Sequence, residues 1–323
     1  GNHAPEGLWS TTRVVFDRQA GWNRPRAEEW VSHHLGVRDP GRTVCLAVPH
    51  RMHPDLAAFL ADLLFPGAYH SRPASAVGLN GCSSQVEFLT VPPLAALAES
   101  SSRPEKRRFA GPGRPPSLKG GAGLELDLAD RRHRDRLPAE LRPLLPGQGL
   151  VNFLEAQAVV RALENLTANL TKDPSHSGAE SEAVIGVLAL YPAQAELIRH
   201  LVKQSPRLAA APADIRIDVP GAFRERECLV TLLSLTRSHA HRAVSFGEGP
   251  HILALALTRA RAKLVLVGDP GTLARRCQWQ GPVDHLDENA SARERELISR
   301  LVRYLQGQGP HQQAFHLCEG GGV

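Results

Sequence analysis

The chain has 323 residues, of which 42% are hydrophobic and 22% charged, proportions that are ordinary for a globular protein. It contains no run of about 18 apolar residues, and its first ten residues lack the pattern of a signal peptide, so membrane-spanning and secreted proteins are not expected. The five cysteines are far apart and form no C-x-x-C pair, which argues against a disulfide framework and a structural zinc site. We expect an intracellular protein, cytoplasmic or, in a eukaryote, nuclear, and a piece of a longer chain.

The net charge of +5 is concentrated in one segment. Residues 103–136 carry ten Lys or Arg against five Asp or Glu, while the rest of the chain balances at 28 of each sign. Such a segment can neutralise nucleic-acid phosphates, and Arg107 and Arg108 are its candidate contacts. It has a single aromatic residue, Phe109, for stacking on bases, and a solvated disordered loop is the competing interpretation.

Residues 1–42 contain scattered Pro, Gly and Trp and are interpreted as an N-terminal remnant. The β-branched and apolar run Thr43–Val48 predicts a buried strand. After Arg51, the sequence Met52-His53-Pro54 leads into apolar residues at helical spacing up to Leu64, which predicts an amphipathic helix.

Ser84–Val91 alternates between apolar and polar residues and predicts a strand. From about Pro92 to Gly149 the chain is rich in Pro, Gly, Ser and Arg, which is typical of a disordered insertion. Its glycine-bearing run lacks the G-x-x-x-x-G-K-[ST] spacing, so it is not a phosphate-binding P-loop.

Order is expected to return at Val151, with one helix after Asn152 and another from Tyr191. The remaining predicted elements are the strands Val184–Leu190, Asp214–Val219, Cys228–Leu235 and Leu264–Val267, and a charged helix over Ser291–Leu305 before a flexible tail. Strands and helices that alternate at these spacings predict right-handed βαβ units. The fold class is therefore α/β, with a mainly parallel sheet flanked by helices.

Four segments resemble superfamily 1 helicases of the Upf-like branch, in the family's order. The resemblance is carried by the motif VI run TRARAKLVLVGD at 258–269, by R-M-H-P at 51–54, by the motif IV run GVLALYPAQAELI at 186–198, and by N-x-x-E-A at 152–156. It implies a second, C-terminal RecA-like motor lobe over residues 43–290, interrupted by the insertion at 92–149. Residues 291–323 would form a C-terminal helix and tail.

In that family the lobe supplies arginine fingers to ATP. The resemblance implies that Arg259 and Arg51 act catalytically at the γ-phosphate. ATP and Mg²⁺ would be held mainly by a first lobe outside this chain, so these residues alone are expected to be inactive and to ligate no metal. Glu227 and Arg261 are implied to lie at the ATP site, although a surface salt bridge for Glu227 and a structural ion pair for Arg261 are competing roles.

The partners implied are DNA or RNA and the first lobe, with nucleic-acid contacts from Tyr191, Gln194, Phe223 and Arg224. Motif V departs from the family pattern T-V-D-x-F-Q-G-x-E, because residues 219–227 read VPGAFRERE and lack its Thr, Asp and Gln-Gly. Two functions remain open. One is an ATP-dependent helicase, and the other is a catalytically inactive, helicase-like scaffold or nucleic-acid-binding module.

Overall fold

The computed structural model of the chain describes eleven stretches of sequence. They are residues 52–64, 85–91, 124–170, 184–211, 213–223, 226–239, 241, 243–247, 249–279, 296–305 and 315–319. The predicted strand at 43–48 and the N-terminal remnant lie outside these residues.

Helices and strands are numbered here in chain order among the described residues. The helices are α1 Pro54–Leu64, α2 Arg131–Arg134, α3 Phe153–Leu170, α4 Pro192–Gln204, α5 Pro206–Ala209, α6 Pro250–Leu257, α7 Pro270–Leu273 and α8 Leu297–Arg303, with a 3₁₀ turn at Pro220–Phe223. The strands are β1 Val86–Thr90, β2 Glu125–Asp127, β3 Leu150–Asn152, β4 Val184–Ala189, β5 Asp214–Asp218, β6 Cys228–Ser234, β7 Ala243–Phe246, β8 Ala260–Gly268, β9 Arg276–Trp279 and β10 Phe315–Glu319. Proline begins several of the helices, where its missing N–H costs nothing.

Six strands form one sheet in the order β10-β1-β8-β6-β4-β5, and every neighbouring pair is parallel. The predicted parallel α/β fold is confirmed. The strand order reverses between β4 and β6, because the chain leaves β4 for β5 on one side and returns to β6 on the other. Strand β8 starts earlier than predicted, at Ala260, so Arg261 lies on the strand.

An apolar core covers each face of this sheet. Alternate residues of β8 point into the two cores. Leu264 and Leu266 belong to the first core, and Val265 and Val267 belong to the second. Helices α1, α6 and α8 pack in the first core, and α3 and α4 pack in the second. Central strands covered on both faces are rich in apolar residues, as β6 and the second half of β8 are.

The predicted insertion ends earlier than Gly149, and the expectation that order returns at Val151 is wrong. Residues 124–149 are folded, with β2 paired antiparallel to β3. Six leucines of this segment are buried in the second core, namely Leu124, Leu126, Leu128, Leu137, Leu141 and Leu145. The prediction weighted Pro, Gly and Arg content and overlooked these leucines.

The C-terminal segment also differs from its prediction. The helix is present as α8, but residues 315–319 form β10, which pairs with β1 in parallel and extends the sheet. The expectation of a flexible tail is therefore wrong for these five residues. None of the helices in the described stretches has the length and apolar character needed to cross a membrane.

Candidate functional site

Three motif segments meet at the amino ends of β6 and β8. The backbone N–H of His53, in the R-M-H-P segment, donates to the carbonyl oxygen of Arg261 at 2.7 Å. The N–H of Cys228, which follows the motif V segment, donates to the carbonyl oxygen of Arg259 at 3.0 Å. Segments far apart in sequence are thereby fixed against the T-R-A-R run. Arg51 lies outside the described residues, and its neighbour Met52 is buried.

Arg259 occupies the junction between α6 and β8 and is half-buried. Its guanidinium Nε donates to the Leu255 carbonyl at 3.2 Å, and Nη1 lies 3.5 Å from the Phe223 oxygen and 3.4 Å from the Arg226 oxygen. Bonds of this length to neutral carbonyls are weaker than the charge-assisted bonds that phosphate oxygens accept. Phosphate oxygens are therefore stronger acceptors for a guanidinium than these carbonyls are.

Arg261 is also half-buried, and its Nε is buried without a hydrogen-bond partner among the described residues. No carboxylate of the described stretches lies within ion-pair distance of it, so the structural ion pair expected for Arg261 is not found there. Glu227 is exposed and stands immediately before β6. Both side chains lie at the same end of the sheet as Arg259.

A second polar cluster fills the opposite, carboxyl end of the sheet. Gln194 is fully buried. Its Oε1 accepts from the Asn152 N–H at 2.8 Å, and its Nε2 donates to the Asn152 carbonyl at 3.1 Å and to Ser234 Oγ at 3.2 Å. Both the oxygen and the nitrogen of the Gln194 amide are therefore hydrogen-bonded, and these bonds link α4 to β3 and β6.

Glu155 lies in the same cluster and is 0% exposed. Its Oε1 accepts from Ser234 Oγ at 2.5 Å and from the Thr236 N–H at 2.8 Å. Burial raises the pKa of Glu155 to about 8, and the bonds from Ser234 and Thr236 offset only part of that rise. A buried carboxyl group that changes charge near neutral pH is a common feature of functional sites.

Arg237 stands above this cluster. Its guanidinium carbon lies 5.9 Å from the ring centre of Tyr191, and its Nε lies 3.1 Å from Glu125 Oε2. Tyr191 is half-buried, and its hydroxyl donates to the Ser245 carbonyl at 3.0 Å. Burial raises the pKa of Tyr191 and that of Glu125, and Arg237 opposes both shifts. The edge of this cluster thus presents an arginine stacked on a tyrosine.

Comparison with known proteins agrees with these motif assignments. Residues 124–271 match the AAA domain family. The ATP-dependent helicase NAM7 of Saccharomyces cerevisiae is 26% identical over 281 residues, which cover 85% of this chain and 23% of that protein. The Regulator of nonsense transcripts 1 homolog of Arabidopsis thaliana is 29% identical over 129 residues, 40% of this chain and 10% of that protein. Over these segments the chain is similar to superfamily 1 helicases of the Upf-like branch.

A third relative is the 5'-3' DNA helicase ZGRF1 of Mus musculus, which is 29% identical over 164 residues, 49% of this chain and 8% of that protein. The chain spans between 8% and 23% of the length of these three relatives.

The predicted site residues fall into four groups. Arg259, Arg261 and Glu227 share the amino end of the sheet, and Tyr191 lies at the carboxyl end. Gln194 and Phe223 are buried, the latter 3% exposed, so neither has surface to offer a nucleic acid, contrary to the prediction. The remaining arginines lie outside the described residues, namely Arg51, Arg107, Arg108 and Arg224.

Three polar residues of the carboxyl-end cluster were missed as site candidates, namely Glu125, Glu155 and Arg237. Glu125 was assigned to the disordered insertion, which hid it. For Glu155 and Arg237 a signal was present, because Glu155 directly follows Phe153-Leu154 and Arg237 stands two residues after the end of the run LLSL. A charge beside a buried strand needs a partner, and here the partners come from distant parts of the chain.

Proposed function

We propose that residues 43–290 are the second RecA-like motor lobe of an ATP-dependent DNA or RNA helicase. In this role Arg259 and Arg51 reach the γ-phosphate of ATP held by a first lobe outside this chain. The observation that carries the proposal is the pair of backbone bonds, His53 to Arg261 and Cys228 to Arg259, which bring the three motif segments to one end of the sheet.

The position of Arg259 suits this chemistry. Phosphoryl transfer depends on positioning and on stabilising negative charge, and an arginine added to such a site raises the rate by about 10³–10⁵. The backbone of Arg259 is fixed at a helix–strand junction, and its guanidinium lies beside the Phe223 and Arg226 carbonyls, at the end of the sheet where the motif segments meet. A guanidinium at this place can bind a phosphate through its planar fork of N–H donors, which lysine cannot reproduce.

The residues fit a phosphate better than a metal ion. Guanidinium groups are donors only, and no group of three His, Cys, Asp or Glu in the described stretches is placed to hold a metal. In this proposal ATP and Mg²⁺ are bound mainly by the first lobe, and Arg261 and Glu227 line the nucleotide face of this one. ATP supplies the phosphoryl group that is transferred to water.

Nucleic acid is the proposed second partner. Tyr191 is placed at the carboxyl end of the sheet and offers a half-buried ring edge. The cations between residues 103 and 119 supply charge for the phosphate backbone. DNA and RNA are both candidates, because one relative is named a DNA helicase and another a regulator of nonsense transcripts.

The altered motif V segment favours a second candidate function, an inactive scaffold. Residues 224 and 225 are Arg and Glu, where the family has Gln and Gly. If that segment no longer couples nucleotide to nucleic acid, the protein would bind nucleic acid without turnover.

The test replaces Arg259 in a protein that carries both lobes. Arg259→Lys should lower ATP turnover by about a thousandfold or more while ATP affinity falls only modestly, and Arg51→Ala should behave similarly. Arg207→Lys, at a side chain that is 81% exposed, is the matched control and should keep turnover. Near-normal turnover in Arg259→Lys would overturn the finger assignment, and a wild type that binds nucleic acid but never hydrolyses ATP would support the scaffold.

A further inference from the structure

The crevice where the strand order reverses is closed by the protein's own side chains. In open α/β sheets, ligands bind outside the carboxyl ends of the strands beside such a reversal. Here the reversal lies between β4 and β6, and the crevice contains Asn152, Glu155, Gln194 and Ser234, each 0% exposed. A carboxyl group of the chain thus occupies a place where other α/β proteins hold an external ligand.

Glu155 accepts a hydrogen bond from Thr236, whose backbone conformation is unfavourable. Thr236 has φ of 67°, and among the described residues no other non-glycine residue has positive φ. Side chains with a branched Cβ avoid this region because the Cβ crowds the backbone. Both backbone polar groups of Thr236 are held, the N–H by Glu155 Oε1 at 2.8 Å and the carbonyl by Asn152 Nδ2 at 3.3 Å.

The turn at Thr236 determines where Arg237 lies. Arg237 follows Thr236 directly and has 13% of its side chain exposed, stacked on Tyr191 and paired with Glu125. Ser238 then donates its N–H to Glu125 Oε2 at 3.0 Å. If Thr236 relaxed to negative φ, the chain direction after β6 would change and these contacts would separate.

We propose that Glu155 is a built-in ligand that holds Thr236 at positive φ, in the tight turn that the Arg237 N–H closes on the Leu235 carbonyl at 2.7 Å, and thereby positions Arg237 against Tyr191. The role does not depend on helicase activity, so it can be tested in the 323-residue chain whether or not the proposed function holds. In this role the matched N-x-x-E segment fixes the turn LTRS at 235–238, which follows β6.

The first test measures amide hydrogen exchange at Thr236. Glu155→Ala should make this amide exchange at least about tenfold faster, with little change at amides of β5. Glu155→Gln keeps an acceptor oxygen and should restore most of the protection. Formate, added to Glu155→Ala as a free carboxylate, should slow the exchange again, whereas the same concentration of chloride should not.

The matched control is Glu164→Ala. Glu164 lies on the same helix and also accepts a hydrogen bond from a serine, Ser205, at 2.6 Å. This variant should leave the exchange of Thr236 unchanged. Exchange at Thr236 that is the same in Glu155→Ala as in the wild type, or that formate fails to slow, would overturn the proposal.

A double-mutant cycle tests the strain directly. Thr236→Gly keeps the N–H that Glu155 binds and removes the side chain that makes positive φ unfavourable, so it should raise the melting temperature. Glu155→Ala should then lower the melting temperature less in the glycine background than in the wild type. Equal losses in the two backgrounds would mean that Glu155 only fills space. A fall in the melting temperature with Thr236→Gly alone, which is measurable even if Glu155→Ala does not fold, would contradict the strain.

Arg237 supplies the remaining readout. Phenylglyoxal labelling, located by mass spectrometry, should be slow at Arg237 in the wild type and in Glu155→Gln. In Glu155→Ala it should approach the rate at Arg207, whose side chain is 81% exposed. Unchanged labelling of Arg237 in Glu155→Ala would show that Glu155 does not position it.

Discussion

The ammonium nitrogen of Lys263 lies 2.5 Å from Oε1 of Glu87 and joins β8 to β1 inside the sheet. Lys263 is 2% exposed, so its charge is removed from water. The free energy lost by removing two charges from water nearly cancels their mutual attraction. When one partner is removed, the desolvation penalty of the other charge is no longer offset. The pair therefore makes β1 dependent on a residue of motif VI.

Glu87→Gln is expected to lower the free energy of unfolding by about 3 kcal/mol, because it removes the negative charge that faces the buried Lys263 ammonium. Glu87→Leu combined with Lys263→Met should cost less than the single change. Glu196→Gln, at a pair in which the glutamate is 44% exposed, is the control and should cost under about 1 kcal/mol. Chemical denaturation of the three variants measures these values, and equal losses in Glu87→Gln and Glu196→Gln would contradict the expectation.

Glu155 should make stability depend on pH. Burial raises its pKa from about 4.5 to about 8, so the folded state holds a proton that the unfolded state has already lost between these values. Its contribution to stability is therefore complete below pH 4.5 and is lost as the pH rises to about 8. Thermal melting from pH 5 to 8 should show wild type losing stability relative to Glu155→Gln, on the order of 1 kcal/mol per pH unit. Parallel curves for the two proteins would rule this titration out.

Gly186→Ala should destabilise the sheet and disturb the motif V segment. An added Cβ would lie 2.5 Å from Cys228 Sγ and 3.2 Å from Phe223 Cε1. Overpacking of this kind costs about 1–3 kcal/mol. Gly247→Ala meets nothing within 4 Å and is the control. Urea denaturation compares them, and a Gly186→Ala variant as stable as Gly247→Ala would show that Phe223 moves aside freely.

The basic segment should contribute a non-specific, salt-dependent part of nucleic-acid binding. Residues 103–123 carry six cations and one acid, so the whole excess of the basic region lies before Leu124 in the sequence. Deleting 103–123 should weaken binding of unrelated oligonucleotides to a similar extent and flatten the dependence of affinity on salt. The test is fluorescence anisotropy at several salt concentrations. An unchanged slope would leave these cations with no role in binding.

The sheet was predictable because β1, β4, β5 and β6 each have a simple pattern of apolar residues bounded by turn residues. The helices α1, α3 and α4 were equally clear from their spacing. The order of the strands was not predictable, because it depends on which distant strands pair, and β1 pairs with β8 and β10 from the far end of the chain. Pairing over such separations leaves no local signal.

Short motifs were enough to single out Arg259 as a candidate, and the structure places it at one end of the sheet with Arg261 and Glu227. The candidate site was not predictable where a role depends on burial. Gln194 carries a motif residue that suggested nucleic acid, yet its amide is consumed by Asn152 and Ser234. Glu125 was hidden for the opposite reason, since the Pro- and Gly-rich composition around it suggested no fold at all. Only the three-dimensional contacts of a polar side chain distinguish these cases.

The position of β1 in the sheet has a consequence for how the chain is made. Its partners β8 and β10 are synthesised long after it, since Val86 pairs with Leu264 and with Phe315. At about 5–20 residues per second, a ribosome needs on the order of ten seconds or more to reach β8. During that interval β1 has both edges open and its Phe88 unburied. The nascent chain therefore carries an aggregation-prone strand that only its own last third can cover.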